Sequence, residues 1–227
     1  MRRFHVYVCG VVVLTGATLA SHFCVGQSMV SKEALLTEAR EPCFLGRHAK
    51  AEGLAERYGP EVIDLLLELL QEESEHQTRD MILRWIGFLR DPRAVKPLIK
   101  MAEEYPLGPE PANQDFEVIQ RILSTLGMIG SEDAVKYLKP LIAEEYWERR
   151  GIRTDQARQC LQEFALSSFA GSGTKEALDT LKSGEEIPKD FTHAIPGFIK
   201  SCERAMAYRE HRPYVDPDAD PRIQRTE

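Results

Sequence analysis

Several groups of residues in this 227-residue chain have the types and spacing of chemistry. Asp216, Asp218, Asp220, Ile223 and Glu227 stand at positions 1, 3, 5, 8 and 12 of an EF-hand-type calcium loop, where alternate carboxylates converge on one cation. Position 6 of such a loop turns sharply and calls for Gly, and here it is Pro221. With Pro213 and Pro217 interleaved as well, residues 211–227 read instead as an acidic, Pro-rich disordered tail, and no metal site is assigned. Gly171-Ser172-Gly173-Thr174 precedes a helix start, a place that favours phosphate. The lysine spacing of a P-loop is missing, so the segment reads as a loop with a helix cap. His48, His76, His193 and His211 are isolated from one another, and neither a His-Glu dipeptide nor Gly-x-Ser-x-Gly occurs. No catalytic residue and no cofactor is assigned.

The five cysteines, Cys9, Cys24, Cys43, Cys160 and Cys202, include no CxxC and no His at ligand spacing. Cys160 and Cys202 fall at nearly equivalent positions of consecutive repeats described below. They are the candidate disulfide of an exported chain. The preferred reading of Cys43, Cys160 and Cys202 is as small buried apolar residues.

Arg2 and Arg3 precede the uncharged run Val6–Ala20, which is the layout of a secretory signal. Small residues allow a cut before Ser21 or before Gln27. The run is short of the roughly 20 residues that span a bilayer, but extending it to Val25 crosses only His22. Residues 1–26 are therefore set apart as a signal peptide or an N-terminal anchor. The protein is expected to be exported, periplasmic or secreted, with membrane contact only if that segment is uncleaved.

The rest of the chain must supply the framework. Hydrophobic residues at 43% and charged residues at 29% fit an ordinary globular fold. The net charge of −7 excludes a general nucleic-acid coating role. Shifted by about forty residues, the chain overlays itself. Ile82-Leu83 meets Ile122-Leu123, Gly87 meets Gly127, and Ala94-Val95-Lys96 meets Ala134-Val135-Lys136. Val62, Leu66, Leu69 and Leu70 make one amphipathic stripe, and Ile82, Trp85, Ile86 and Leu89 make the next. Asp91 and Ser131 are helix caps, and Pro92 opens a helix. Helices are expected over 31–40, 44–58, 60–73, 76–90, 92–105, 113–130, 132–149, 152–170, 174–183 and 190–209. No single pair buries its stripes alone, so about five helix pairs must stack into an all-α superhelix over 31–210.

The segment Gly87-Phe88-Leu89-Arg90-Asp91-Pro92-Arg93-Ala94-Val95-Lys96-Pro97-Leu98 resembles the HEAT-repeat consensus of the phycobilisome-lyase HEAT-like class. Gly127–Val135 is a second copy and Gly173–Leu178 a degenerate third. The resemblance implies a HEAT-like solenoid used as an adaptor or scaffold, with second helices lining the inner face. It implies no chemistry by itself. A lyase-type enzyme or accessory subunit is one alternative. A membrane-tethered structural part of the cell envelope is another.

Acidic residues concentrate on the first helices (Glu61, Asp64, Glu68, Glu72, Glu73) and arginines on the second (Arg79, Arg84, Arg121, Arg153, Arg158, Arg204, Arg209), the alternative being ordinary solvated faces. A mildly basic inner face follows, suited to a protein or peptide partner of acidic character. Extra residues at 106–113, 146–154 and 183–189 lie at the junctions inside successive pairs, along one edge of a solenoid. Tyr105, Tyr146, Trp147, Arg149, Arg150 and Arg153 gather there and are of the types that anchor interfaces. The alternative for Tyr146 and Trp147 is that they cover the end of the core.

Overall fold

The computed structural model describes residues 31–40, 53, 54 and 56–211. The segment 1–26, Cys43, His48, most of the expected helix 44–58 and the tail carboxylates lie outside the described residues. Among the described residues there is no strand. The first helix, α1 (Lys32–Arg40), is followed by a helical stretch around 53–58. Four antiparallel pairs then follow. They are α2 (Val62–Glu72) with α3 (His76–Leu89), and α4 (Val95–Glu104) with α5 (Asn113–Ile129). Next come α6 (Glu132–Leu138), a short α7 (Glu144–Arg149) and α8 (Asp155–Gly171). Last are α9 (Lys175–Ser183) and α10 (Ile195–Arg209).

The predicted stripes are the buried ones. Val62, Ile63, Leu66, Leu69 and Leu70 of α2 face Ile82, Leu83, Trp85 and Ile86 of α3 in one continuous core. The repeat is equally plain in burial. From Asp91 to Lys100 and from Ser131 to Pro140, buried, half-buried and exposed positions follow in the same order. Three second helices, α3, α5 and α8, are each followed by a left-handed residue, Arg90 (φ 53°), Gly130 (φ 54°) and Gly173 (φ 55°). A capping side chain then restarts the chain. Asp91 accepts the Arg93 N–H at 2.9 Å, Ser131 Oγ the Ala134 N–H at 3.3 Å, and Thr174 Oγ1 the Ala177 N–H at 3.2 Å.

The shared glycines bring the second helices together. A Cβ on Gly127 would lie 2.3 Å from the Ser168 carbonyl oxygen of α8, whereas one on Gly87 would meet only the Met128 side chain, at 3.0 Å. The last helix departs from the stack. Gly173 lies under the backbone of Ala205 and Met206, Gly130 under the guanidinium of Arg209, and the Arg90 guanidinium lies 4.6 Å from the Tyr208 ring centre. Helix α10 therefore crosses all three left-handed turns. Arg209 Nη2 donates to the Met128 carbonyl at 2.8 Å, answering an orphan acceptor at the end of α5. Burial, and then the Arg90 charge, pull its pKa down to about 10.

Three expected helices differ, and the one over 92–105 opens as a 3-10 turn at Pro92–Ala94. The stretch 132–149 breaks because Pro140 supplies no N–H. Residues Lys139–Ile142 tighten into a 3-10 turn, and Ala143 is extended (ψ 140°) before α7 begins. The stretch 190–209 opens as a 3-10 turn over Lys189–Ala194, ahead of Pro196. Cys160 and Cys202 are both free thiols, Cys160 half-buried and Cys202 buried. The disulfide considered for them is not formed.

Glu73 holds the first repeats together. Its buried carboxylate accepts the N–H groups of Ser74 and Glu75, both at 2.8 Å, and pairs with Arg40 of α1 at 3.0 Å. The Glu75 N–H, countered by burial and assisted by Arg40, holds its pKa below the usual 4.5. A depressed folded pKa means a contribution that is whole above the unfolded value and lost as pH falls through the folded one. Urea midpoints of wild type and Glu73→Gln should therefore differ most above about pH 5 and converge in acid, since an unfolded Glu titrates near 4.3. Gly127→Ala should cost about 2–3 kcal/mol through overpacking against α8 backbone. Gly87→Ala should stay within about 1 kcal/mol, because helix propensity offsets a contact with a flexible side chain. Paired thermal melts check both.

Candidate functional site

First helices run towards one edge and second helices return from it, so the junctions inside the pairs share that edge. The long junction 105–112 is pinned from both sides. Tyr105 Oη donates to Asp115 Oδ1 at 3.0 Å, and Asp115 Oδ2 accepts the Ala112 N–H at 2.9 Å, capping α5. Burial, then this carboxylate, raise the Tyr105 pKa. From the next repeat, the Arg153 N–H donates to the Pro109 carbonyl at 2.9 Å.

Arg150 couples the repeats most directly. Its guanidinium donates to the carbonyls of Ala102 (3.0 Å), Glu103 (3.2 Å) and Tyr105 (3.1 Å), the open C-terminal end of α4. Tyr146 Oη donates to Glu103 Oε1 at 2.7 Å, and burial, then Glu103, raise the Tyr146 pKa. Its ring stands edge-on to Trp147 at 4.9 Å. The Trp147 side chain itself is 1% exposed, and its indole N–H donates to the Leu141 carbonyl at 2.7 Å. Of the six residues expected at this edge, Tyr105, Tyr146 and Arg150 come together in one interlocked patch. Arg149 and Arg153 are exposed beside it. Trp147 is corrected from a presented anchor to a core residue beneath the patch, because the extended break at Ala143 turns its ring inwards.

The expected basic inner face is largely spoken for. Arg84 (2.8 Å) and Arg121 both pair with Asp80, and Arg158 pairs with Glu144 (2.8 Å) and Asp155. Arg79 Nη1 donates to the Glu73 carbonyl at 3.1 Å and has no carboxylate partner among the described residues.

Sequence reasoning missed two clefts that flank α4. One, of about 400 Å³, lies between the N-terminal halves of α3 and α5, where Arg79 and Arg121 are balanced by Asp80 and Glu117, and Leu83 and Met101 supply apolar wall. The other, of about 640 Å³, lies between Gln71 of α2 and the Lys96, Pro97, Lys100, Met101 and Tyr105 side of α4. Met101 is their common wall. Arg79, Arg121 and Tyr105 carried a signal in the sequence; Met101 carried none. Among the described residues no cluster of three His, Cys, Asp or Glu could hold a metal, and no helix is long and apolar enough to cross a membrane.

The family model described as HEAT repeats matches residues 33–107. Residues 33–107 carry HEAT repeats. The match spans α1 to α4 and ends inside the Tyr105–Ala112 junction, and it does not single out the phycobilisome-lyase-type class. The same turn and cap recur beyond the matched HEAT segment, at Gly130-Ser131 and Gly173-Thr174. No curated protein and no solved structure matches the chain.

Trp147→Ala should cost about 3–5 kcal/mol, as removal of a fully buried aromatic does. Arg150→Ala should cost about 1 kcal/mol, because water can reach part of the bared α4 terminus. Urea titrations of the two variants check this ranking.

Proposed function

We propose that this chain is an exported, non-catalytic HEAT-repeat scaffold that binds a protein or peptide partner along the edge where the pair junctions lie. HEAT repeats commonly serve protein interactions, which supports a protein partner in general. Export rests on Arg2, Arg3 and the uncharged run Val6–Ala20.

One observation carries the choice of edge. Arg150 and Tyr146 lock the junctions of two repeats into a rigid patch, and two exposed arginines stand beside it. Arg149 turns its Nε to the Glu145 carbonyl at 3.1 Å, and the Arg153 side chain is engaged by no described residue. A preorganised patch with exposed guanidinium groups loses little entropy on meeting a partner and can take carboxylates in two-point contact.

The opposite edge is less suited, because α10 already lies across its row of turns. An Arg149→Glu, Arg153→Glu double variant should keep the wild-type melting temperature within about 2 °C, as surface changes do. It should lose the proteins that wild type retains from a native envelope extract, read by quantitative mass spectrometry. Unchanged retention by the variant would remove this edge as the interface.

A further inference from the structure

Helix α10 ends where two guanidinium groups meet. The Arg90 guanidinium lies 4.6 Å from the Tyr208 ring centre. Arg209, the next residue of α10, lies over Gly130 and donates from Nη2 to the Met128 carbonyl at 2.8 Å. Burial, and then the Arg90 charge, lower the Arg209 pKa, and burial lowers that of Arg90. Arg209 Nε is buried without a hydrogen-bond partner, so this guanidinium has a donor to spare.

Two like charges half withdrawn from water are costly unless an anion stands beside them. Among the described residues neither guanidinium pairs with a carboxylate. Asp91, next to Arg90, is taken by Arg93 at 2.7 Å. Glu210 follows Arg209 and Arg204 sits one turn before Tyr208, so these two exposed groups offset each other in charge. The carbonyls of Gly127 and Met128 answer Arg209 with partial charges only. The end of α10 is left with a positive excess in a protein of net charge −7.

The chain itself supplies anions within reach. His211 is left-handed (φ 51°), as Arg90 is, and its N–H donates to the Tyr208 carbonyl at 3.3 Å. The chain therefore leaves the helix axis beside Tyr208 and Arg90. It continues to Glu227 with Asp216, Asp218 and Asp220 and no base between Arg212 and Arg222. Asp216 lies within about 17 Å of His211 even on a fully extended path. A carboxylate on so short a tether meets the pair at a millimolar effective concentration, which favours it over a free anion.

We propose that the acidic segment Asp216–Asp220 docks on Arg90 and Arg209 and so latches α10 across the row of left-handed turns. The latch lies at the turn edge and stands apart from the partner-binding reading of the junction edge. The planar Arg90 guanidinium takes a carboxylate in two-point contact while its face stays on Tyr208. Salt loosens the latch, because the paired groups remain partly in water.

The test uses the full chain with 15N-labelled arginine. Asp216→Asn, Asp218→Asn and Asp220→Asn together should move the Arg90 Nε–H signal, identified by its loss in Arg90→Gln. About 1 M NaCl should move it the same way in wild type and no further in the triple variant. At low ionic strength the triple variant should melt about 2–4 °C below wild type. In the Arg90→Gln background the same three changes should alter the melt by less than about 1 °C. An unmoved Arg90 signal, or melting shifts that simply add across the two backgrounds, would overturn the latch. Inorganic phosphate should move the Arg90 signal at lower concentration in the triple variant than in wild type. Saturable phosphate binding of equal strength in both would assign the pair to a separate anion and overturn the latch as well.

Discussion

Nothing larger than a hydrogen fits between Gly127 of α5 and the backbone of α8. That contact sets the distance between second helices, and the rest of the architecture inherits it. An amphipathic helix pair alone leaves half its apolar surface in water. It becomes stable only when the next pair comes close enough to exclude solvent, and the close approach at Gly127 makes α5 and α8 such neighbours. Ile122, Leu126, Leu161 and Ala165 are buried as a result. The equivalent position in α3, Gly87, meets a methionine instead of backbone, so the stack is tighter towards its C-terminal end.

The two edges of the stack have different fates. At one, the left-handed residues Arg90, Gly130 and Gly173 make a row of identical turns. Helix α10 covers that row, with Arg209 answering a carbonyl of α5 and Tyr208 lying against Arg90. At the other edge the junctions differ in length, so no single helix can lie across them. The longest junctions brace each other through Arg150 and Tyr146, and the pair of clefts sharing Met101 flanks α4. The irregular edge stays uncovered while α10 closes the regular one.

The arginines illustrate how sharply location decides use. Arg121 and Arg84 neutralise one aspartate, Arg158 gathers the acids around the start of α8, and Arg150 and Arg209 cap helices. These cations are consumed inside the fold. Arg149 and Arg153, at the junction edge, are exposed and pair with no acid among the described residues.

Periodicity, capping and the shared glycines were local properties, and the sequence alone determined them. Stripes such as Ile82, Trp85 and Ile86, the caps Asp91, Ser131 and Thr174, and the self-overlay at Gly87 and Gly127 were enough to define an all-helical HEAT-like stack and its turns. Local signals do not report through-space neighbours. Pro140 broke the helix expected over 132–149, and Trp147, just after the break, is buried. Arg150 read as an interface residue until the end of α4 was brought within reach of it, and nothing in the sequence marked Met101 as the wall shared by two clefts. Which polar groups are consumed and which remain exposed depends on the spacing between repeats, a distance that exists only once the helices have packed.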